Sequence, residues 1–393
     1  MKYTLVAACL AGLSAPAICA EPQINGFANF IGGMTLDDNE TVYGYDDNIS
    51  FSPATLFGLQ VRTDINDRLS ATAQIVGRGS EDFDLDFEWA YMSYAINDNT
   101  NISAGRLRLP LFKYSAYLDV GYAYHWLTPP QSVYNVDYNN IDGIRVDYQN
   151  YMGEWEYNLQ FTAGVVETDT VIAGAPAELS IDNVVTASFD VTRDWFSARA
   201  LYGMGKVTAR NNDFGQFIAG LRQFSAVIPN TADVASNLEA DDDSGRFIEV
   251  AVDIDKYDWF VGAEFTRVEV DNTAIAVNDA WYVTAGLRLG QFTPHITYEE
   301  EEADNGDQLG YISGLPAAIA SGDAVTDGTW AVLYQSAQGI VAAQKAKTSA
   351  VTVGVRYDYE PGLALKTDIT WYSDDLNAAR DATLLRFGVN YTF

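Results

Sequence analysis

Cysteine is nearly absent from this chain. Only Cys9 and Cys19 occur in 393 residues, and both fall in the first twenty. Those twenty read as a secretory signal: Lys2 is the positive start, Leu5–Leu13 the short apolar core, and Ile18-Cys19-Ala20 the cleavage site before Glu21. Ile18 sits where a lipoprotein signal carries a small residue, which argues against a lipid anchor on Cys19. The remainder, 21–393, has neither disulfides nor thiol chemistry. Histidine is equally scarce. His125 and His295 have no spacing that suits a metal site or a catalytic triad. No catalytic residue, metal ligand or cofactor is expected. Basic residues are outnumbered, 23 Lys and Arg against 54 Asp and Glu, for a net charge of −31. That argues against nucleic acid as a partner, since phosphate backbones need basic patches. Beyond Leu5–Leu13 there is no long apolar run, so a helical membrane protein is excluded.

What is present is alternation. In 154–166, Trp155, Tyr157, Leu159, Phe161, Ala163 and Val165 face one way; Glu156, Asn158, Gln160, Thr162 and Gly164 face the other. The last ten residues repeat it, with Leu385, Phe387, Val389, Tyr391 and Phe393 against Leu384, Arg386, Gly388, Asn390 and Thr392. A two-residue period with one apolar face marks a strand between an apolar medium and water. Sixteen such segments fall near 23–32, 55–65, 68–77, 82–96, 100–109, 141–150, 154–166, 182–192, 195–206, 246–255, 257–270, 279–289, 291–301, 348–359, 362–373 and 382–393. The spacing predicts one all-β domain over 21–393: a transmembrane, sixteen-stranded antiparallel barrel.

The connections alternate in length. Short turns rich in Asn, Asp, Gly and Pro, such as Asn66-Asp67, Arg193-Asp194 and Glu360-Pro361, interleave with loops near 33–54, 110–140, 167–181, 207–245 and 302–347. Short periplasmic turns and longer extracellular loops are the plan of outer-membrane barrels.

The transition at 104–145 carries the strongest local pattern. Ala104-Gly105-Arg106-Leu107-Arg108-Leu109-Pro110 ends the fifth strand, and a long loop follows with Lys113, Asp119, His125, Pro129-Pro130 and Asp137. The chain re-enters a strand at Ile141, with Arg145 and Asp147 in an Arg-x-Asp pattern. Here the sequence resembles the general diffusion porins of Gram-negative bacteria, in which a Gly-Arg step closes the fifth strand and a long third loop folds into the barrel. The acidic loop-tip motif of that family is absent. The resemblance implies a constriction loop at about 110–140, a homotrimer, and a water-filled channel for passive diffusion of ions and small hydrophilic solutes. Tyr391 and the terminal Phe393 resemble the signal read by the barrel-assembly machinery. Outer-membrane lipid and lipopolysaccharide are the implied surroundings.

Alternation also assigns the lumen. Arg62 lies opposite Val61, Arg106 shares a face with Arg108, and Arg145 shares one with Asp147. Arg356, Lys366 and Arg386 fall on polar faces near closure. Asp84, Asp86 and Glu88 form an acidic row opposite Phe83, Leu85, Phe87 and Trp89. An arginine facing lipid at mid-bilayer costs ~2–4 kcal/mol, so lumen placement is favoured. Arg62, Arg106, Arg108, Lys113, Asp119, Asp137 and Arg145 are the candidate pore-lining or constriction residues. Each arginine could equally pair with a carboxylate in the wall. A phosphate, anion or sugar-selective channel stays open, as does a surface β-protein of adhesin type.

Overall fold

The computed structural model describes residues 21–136, 138–172, 175–304, 314–343 and 345–393. Residues 1–20, with both cysteines, and Asp137 lie outside the described residues. Sixteen strands follow in chain order: β1 Gln23–Thr35, β2 Leu56–Asp64, β3 Leu69–Arg78, β4 Leu85–Asn97, β5 Thr100–Arg108, β6 Asn140–Met152, β7 Trp155–Ile172, β8 Ala175–Arg193, β9 Phe196–Arg210, β10 Asp243–Asp255, β11 Trp259–Val270, β12 Val277–Leu287, β13 Phe292–Asp304, β14 Ala346–Glu360, β15 Leu363–Asp374 and β16 Ala382–Thr392. Neighbours in sequence pair antiparallel, and β1 pairs β16, so the sheet closes as a barrel. Closure pairs the backbone without leaving an edge, which is what a bilayer demands of a β structure.

The outer face is apolar. Phe30, Phe161, Phe189, Val250, Ile296 and Phe387 are all exposed on it. A belt of this size around a closed sheet suits hydrocarbon, not water. Turns between β8 and β9 and between β12 and β13 place Asp194 (φ 49°) and Gly290 (φ 66°) in the left-handed region. Asp and Gly are the residues that tolerate it. Lys256 lies 3.6 Å from the centre of the Trp195 ring at this turn side.

Three features depart from the sequence reading. The stretch 167–181 is mostly strand, not loop. β7 and β8 run on together through Glu167↔Ser180 and Asp169↔Glu178, because the β-branched residues Thr168 and Thr170 keep the chain extended.

The second departure is a bulge in β4. Gln74 pairs Trp89 while Ile75 pairs Phe87, so Glu88 is an extra residue and the alternation reverses there. Trp89 therefore faces the lumen, 8% exposed, and not the lipid with Phe87. The β4–β5 ladder covers only Ala90–Asn97. On the loop side of it, side chains close the wall: Glu88 lies 3.4 Å from Arg108 and accepts from Asn140 at 3.3 Å.

The third departure is helical. The β9–β10 loop carries α2 (Asn212–Gln223) and α3 (Thr231–Ser236), and the β13–β14 loop carries α4 (Ala324–Ala343). A short helix inside the barrel, α1, spans Gln131–Tyr134. Phe214, Phe217, Ile218 and Leu221 fall on one face of α2 at helical spacing. They pack with Phe224, Leu238, Leu315 and Trp330 into a core separate from the barrel's. These helices form a cap on the loop side, tied to the β11–β12 turn by the Ala274 amide donating to the Leu238 carbonyl at 3.1 Å.

Candidate channel interior

The lumen is crossed by the connection between β5 and β6, residues 109–139, here called L3. Pro110 and Pro129-Pro130 deny it a long helix. Apart from α1 and short single turns its backbone is irregular, so its carbonyls need partners from outside. The barrel wall supplies them. Lys366 Nζ donates to the carbonyls of Gly121, Tyr124 and Trp126 at 2.6, 2.7 and 2.6 Å. Arg356 donates to those of Tyr122 and Tyr124 at 2.7 and 2.8 Å. Arg199 donates to the Pro110 carbonyl at 2.7 Å, and Asn29 to that of Asp119 at 2.9 Å. These donors stand on β14, β15, β9 and β1, so L3 is anchored right across the barrel.

Side chains complete the anchoring. Asp119 lies between Arg108 and Arg78, the latter at 3.0 Å, and both arginines also pair with Glu88. Arg386 makes a two-pronged pair with Asp368, 2.9 Å on each arm, and donates to Thr128 at 2.7 Å. Glu264 accepts from the Lys113 amide at 3.1 Å, from Tyr282 at 3.0 Å and from Tyr134. Lys113 pairs with Asp253. The Trp126 indole donates to Thr297 at 2.8 Å, and the Ser132 amide to Glu299 at 2.8 Å. Around these polar contacts, Leu109, Leu111, Phe112, Trp126 and Tyr134 pack against Phe247 and Tyr282 of the wall. The two histidines, far apart in sequence, meet here. Their ring centres are 4.7 Å apart, and His125 contacts the Thr284 hydroxyl at 3.0 Å. Burial, then His295 and the cations Lys366, Arg356 and Arg288, push the His125 imidazole well below its ordinary pKa. Among the described residues no cluster of His, Cys, Asp and Glu is arranged to hold a metal ion.

The candidate residues separate into three groups. Arg108, Lys113 and Asp119 lie where L3 meets the wall. Arg62 and Arg145 border a cavity of about 690 Å³ on the turn side, together with Asp147, Tyr91 and Asn101. There Arg62 pairs with Asp64 at 3.3 Å and Arg145 with Asp147 at 3.0 Å. Arg106 borders the loop-side cavity of about 1480 Å³, at an exposed point of the wall. It pairs with Asp142 at 2.9 Å, each nearly half exposed, at a register opposite Ala90. Met92 and Ile144 are exposed on that same side. The backbone twists at Gly105 (φ 131°) and the β4–β5 ladder ends at Arg106; Arg108, beyond it, is buried in the cluster with Glu88 and Asp119 while Arg106 is not. In the acidic row, the bulge takes Glu88 into the arginine cluster and leaves Asp84 and Asp86 exposed. Tyr391 and Phe393 stack at 5.6 Å on the outer face.

Several anchoring residues escaped the sequence reading. Arg78 was legible by parity, since it continues the lumen series Thr72, Gln74, Val76. Glu264 stands just before the alternation is broken by the charges of Arg267 and Glu269, which the structure turns outward, Arg267 paired to Asp279 and Glu269 to Arg246.

No family model and no curated relative matches the chain. Solved structures do. The outer-membrane channel DcaP of Acinetobacter baumannii is 13% identical, over 95% of this chain and 97% of its own, with a TM-score of 0.58. OmpF of Salmonella typhi, in complex with daunomycin, is 13% identical over the same shares, at 0.57. The anion-selective porin of Comamonas acidovorans is 11% identical over 95% and 99%, at 0.54.

The fold is that of the bacterial outer-membrane porins.

At such identities the likeness extends to the barrel and its closure. The side chains that seat L3 have to be read from this chain itself.

Proposed function

We propose that this barrel is an outer-membrane channel through which ions and small hydrophilic solutes diffuse passively. The observation that carries the reading is a folded-in loop across a closed, apolar-belted barrel with a large cavity on either side. The loop-side cavity is about 1480 Å³ and the turn-side one about 690 Å³. Barrels of this strand number are wide enough for an aqueous channel, and a seated loop sets its narrowest point. The many bonds that seat L3 hold that narrow point in place. The likeness to porins supports a trimer embedded among outer-membrane lipid and lipopolysaccharide.

Recording of purified, heat-modifiable protein in a planar bilayer under a KCl gradient tests the reading. Stepwise conductance is expected, in threes for a trimer. Correctly folded protein without channels would overturn it. Flux that saturates at low solute concentration marks a selective channel, and flux that rises linearly marks a sieve. Charges at the constriction govern ion sign, since those beyond about 8–10 Å are screened. Arg145→Glu is expected to move the reversal potential toward cations, and Arg106→Glu, at a half-exposed pair in the wider loop-side cavity, to move it less.

A further inference from the structure

We propose that the loop-side vestibule above L3 binds amphipathic organic cations: molecules with an apolar body and an ammonium head. The inference rests on the channel reading and names the class of solute it would select.

The walls of the lumen differ in chemistry. Beside β10–β12 lies a cavity of about 520 Å³. Its lining includes Val133 and Val136 of L3 and the inward-facing Ile181, Val207, Val268 and Val270 of the wall. A water channel expects polar groups on its inner face. Apolar side chains around water forgo both hydrogen bonds and packing partners, and a concentrated patch of them marks a binding surface. The volume falls within the ~300–1,000 Å³ typical of small-molecule sites, which are mostly apolar with a few convergent polar groups.

Those polar groups are carboxylates. Ser132, Asn135 and Glu301 line both this cavity and an adjoining one of about 380 Å³, which also holds Glu299. Glu299 and Glu301 stand on the lumen face of β13. Among the described residues neither is in an ion pair. Glu299 accepts from the Ser132 amide at 2.8 Å, and Glu301 from the Asn278 amide group at 2.6 Å. The two cations that line these cavities are already committed. Arg246, at the apolar cavity, pairs with Glu269 and Asp271, and Arg380, at the smaller one, lies 3.6 Å from Asp374. An ammonium at this seam would meet two carboxylates that take only neutral donors, while its body lies against valine and isoleucine. An anion would meet the same pair as repulsion. The cap stands at the mouth: Ile275 and Ala276, which line the apolar cavity, directly follow the residue that ties the cap to the barrel.

The test is blockade of KCl current through single channels by 4-phenylbutylammonium added on the loop side. Tetramethylammonium, a head without a body, and 4-phenylbutyrate, a body with the opposite head, are the controls. Discrete blockades by the first alone are expected. Glu301→Gln and Val268→Asn should each shorten them about tenfold, corresponding to ~1.4 kcal/mol, with each variant measured against its own open current. Equal blockade by 4-phenylbutyrate, blockade by tetramethylammonium alone, or no blockade overturns the proposal. If the folded protein forms no channels, the channel reading fails by itself. Calorimetric titration of the detergent-held protein with the same three probes then decides the site, by binding of the first alone or not. That titration also serves if either variant fails to fold.

Discussion

L3 and the two long connections that build the cap sit on one barrel, and they satisfy their backbones by different means. The cap makes its own secondary structure and its own core. Its segments carry alanine and apolar residues at helical spacing, and Asn211 accepts from the Asp213 and Phe214 amides at 2.9 and 3.2 Å to start α2. Leu221 and Trp330 are then completely buried between helices. L3 has too little helix to satisfy its backbone and borrows donors from the wall, chiefly Lys366, Arg356, Arg199 and Asn29. The cap is thus held by apolar packing within the loops, and L3 by apolar contacts together with charge and hydrogen bonds to strands far away in sequence. The one should yield to a cavity, the other to the loss of a charge.

The largest break expected is Asp119→Ala. It leaves Arg78 and Arg108 sharing Glu88 alone, and breaking a buried pair typically costs roughly 3–5 kcal/mol. L3 should loosen, so open-channel conductance and current noise rise while the cap stays intact. An unchanged conductance would show that the cluster does not hold the loop.

Leu221→Ala is the counterpart in the cap. Such truncations cost roughly 2–5 kcal/mol, and here the loss should stay local. Trypsin should cut after Arg222 much faster, with the barrel's heat-modifiable migration unaltered. Barrel and cap unfolding together would refute their independence.

A smaller effect is expected from Asn211→Ala. Loss of the cap residue costs about 1 kcal/mol and should appear as faster hydrogen exchange in the first turn of α2, with none in L3.

The smallest effect is set by pH. His125 is held neutral by burial, so below its ordinary pKa of about 6.5 the unfolded or displaced loop binds more protons than the seated one. Stability of the seat therefore falls as the solution is acidified through that value. Current noise should grow from pH 7 to pH 5 in the native protein and less in His125→Gln. Equal growth in both would assign the pH response to other groups.

Much of this contrast was legible before folding. All sixteen strands were placed by alternation, most of them to within a few residues. The lumen-facing series Arg356, Lys366 and Arg386 was assigned correctly by parity alone. Trp89 was misassigned because a bulge adds one residue without any mark in the local pattern. The helices of the cap were missed because their apolar spacing sits in segments bounded by strands and read as loop. L3's partners were out of reach for a different reason. Lys366 and Gly121 are 245 residues apart, and their contact depends on closure.

By itself, then, the sequence determined the barrel. A period of two forces one face toward an apolar medium, and turn residues at regular intervals leave little choice but antiparallel strands in order. Only the tertiary structure decided what fills the lumen. Which carboxylate meets which arginine, and which cations are spent on loop carbonyls, depends on distances across the barrel. Alternation assigns a side chain to a face but says nothing of what stands opposite.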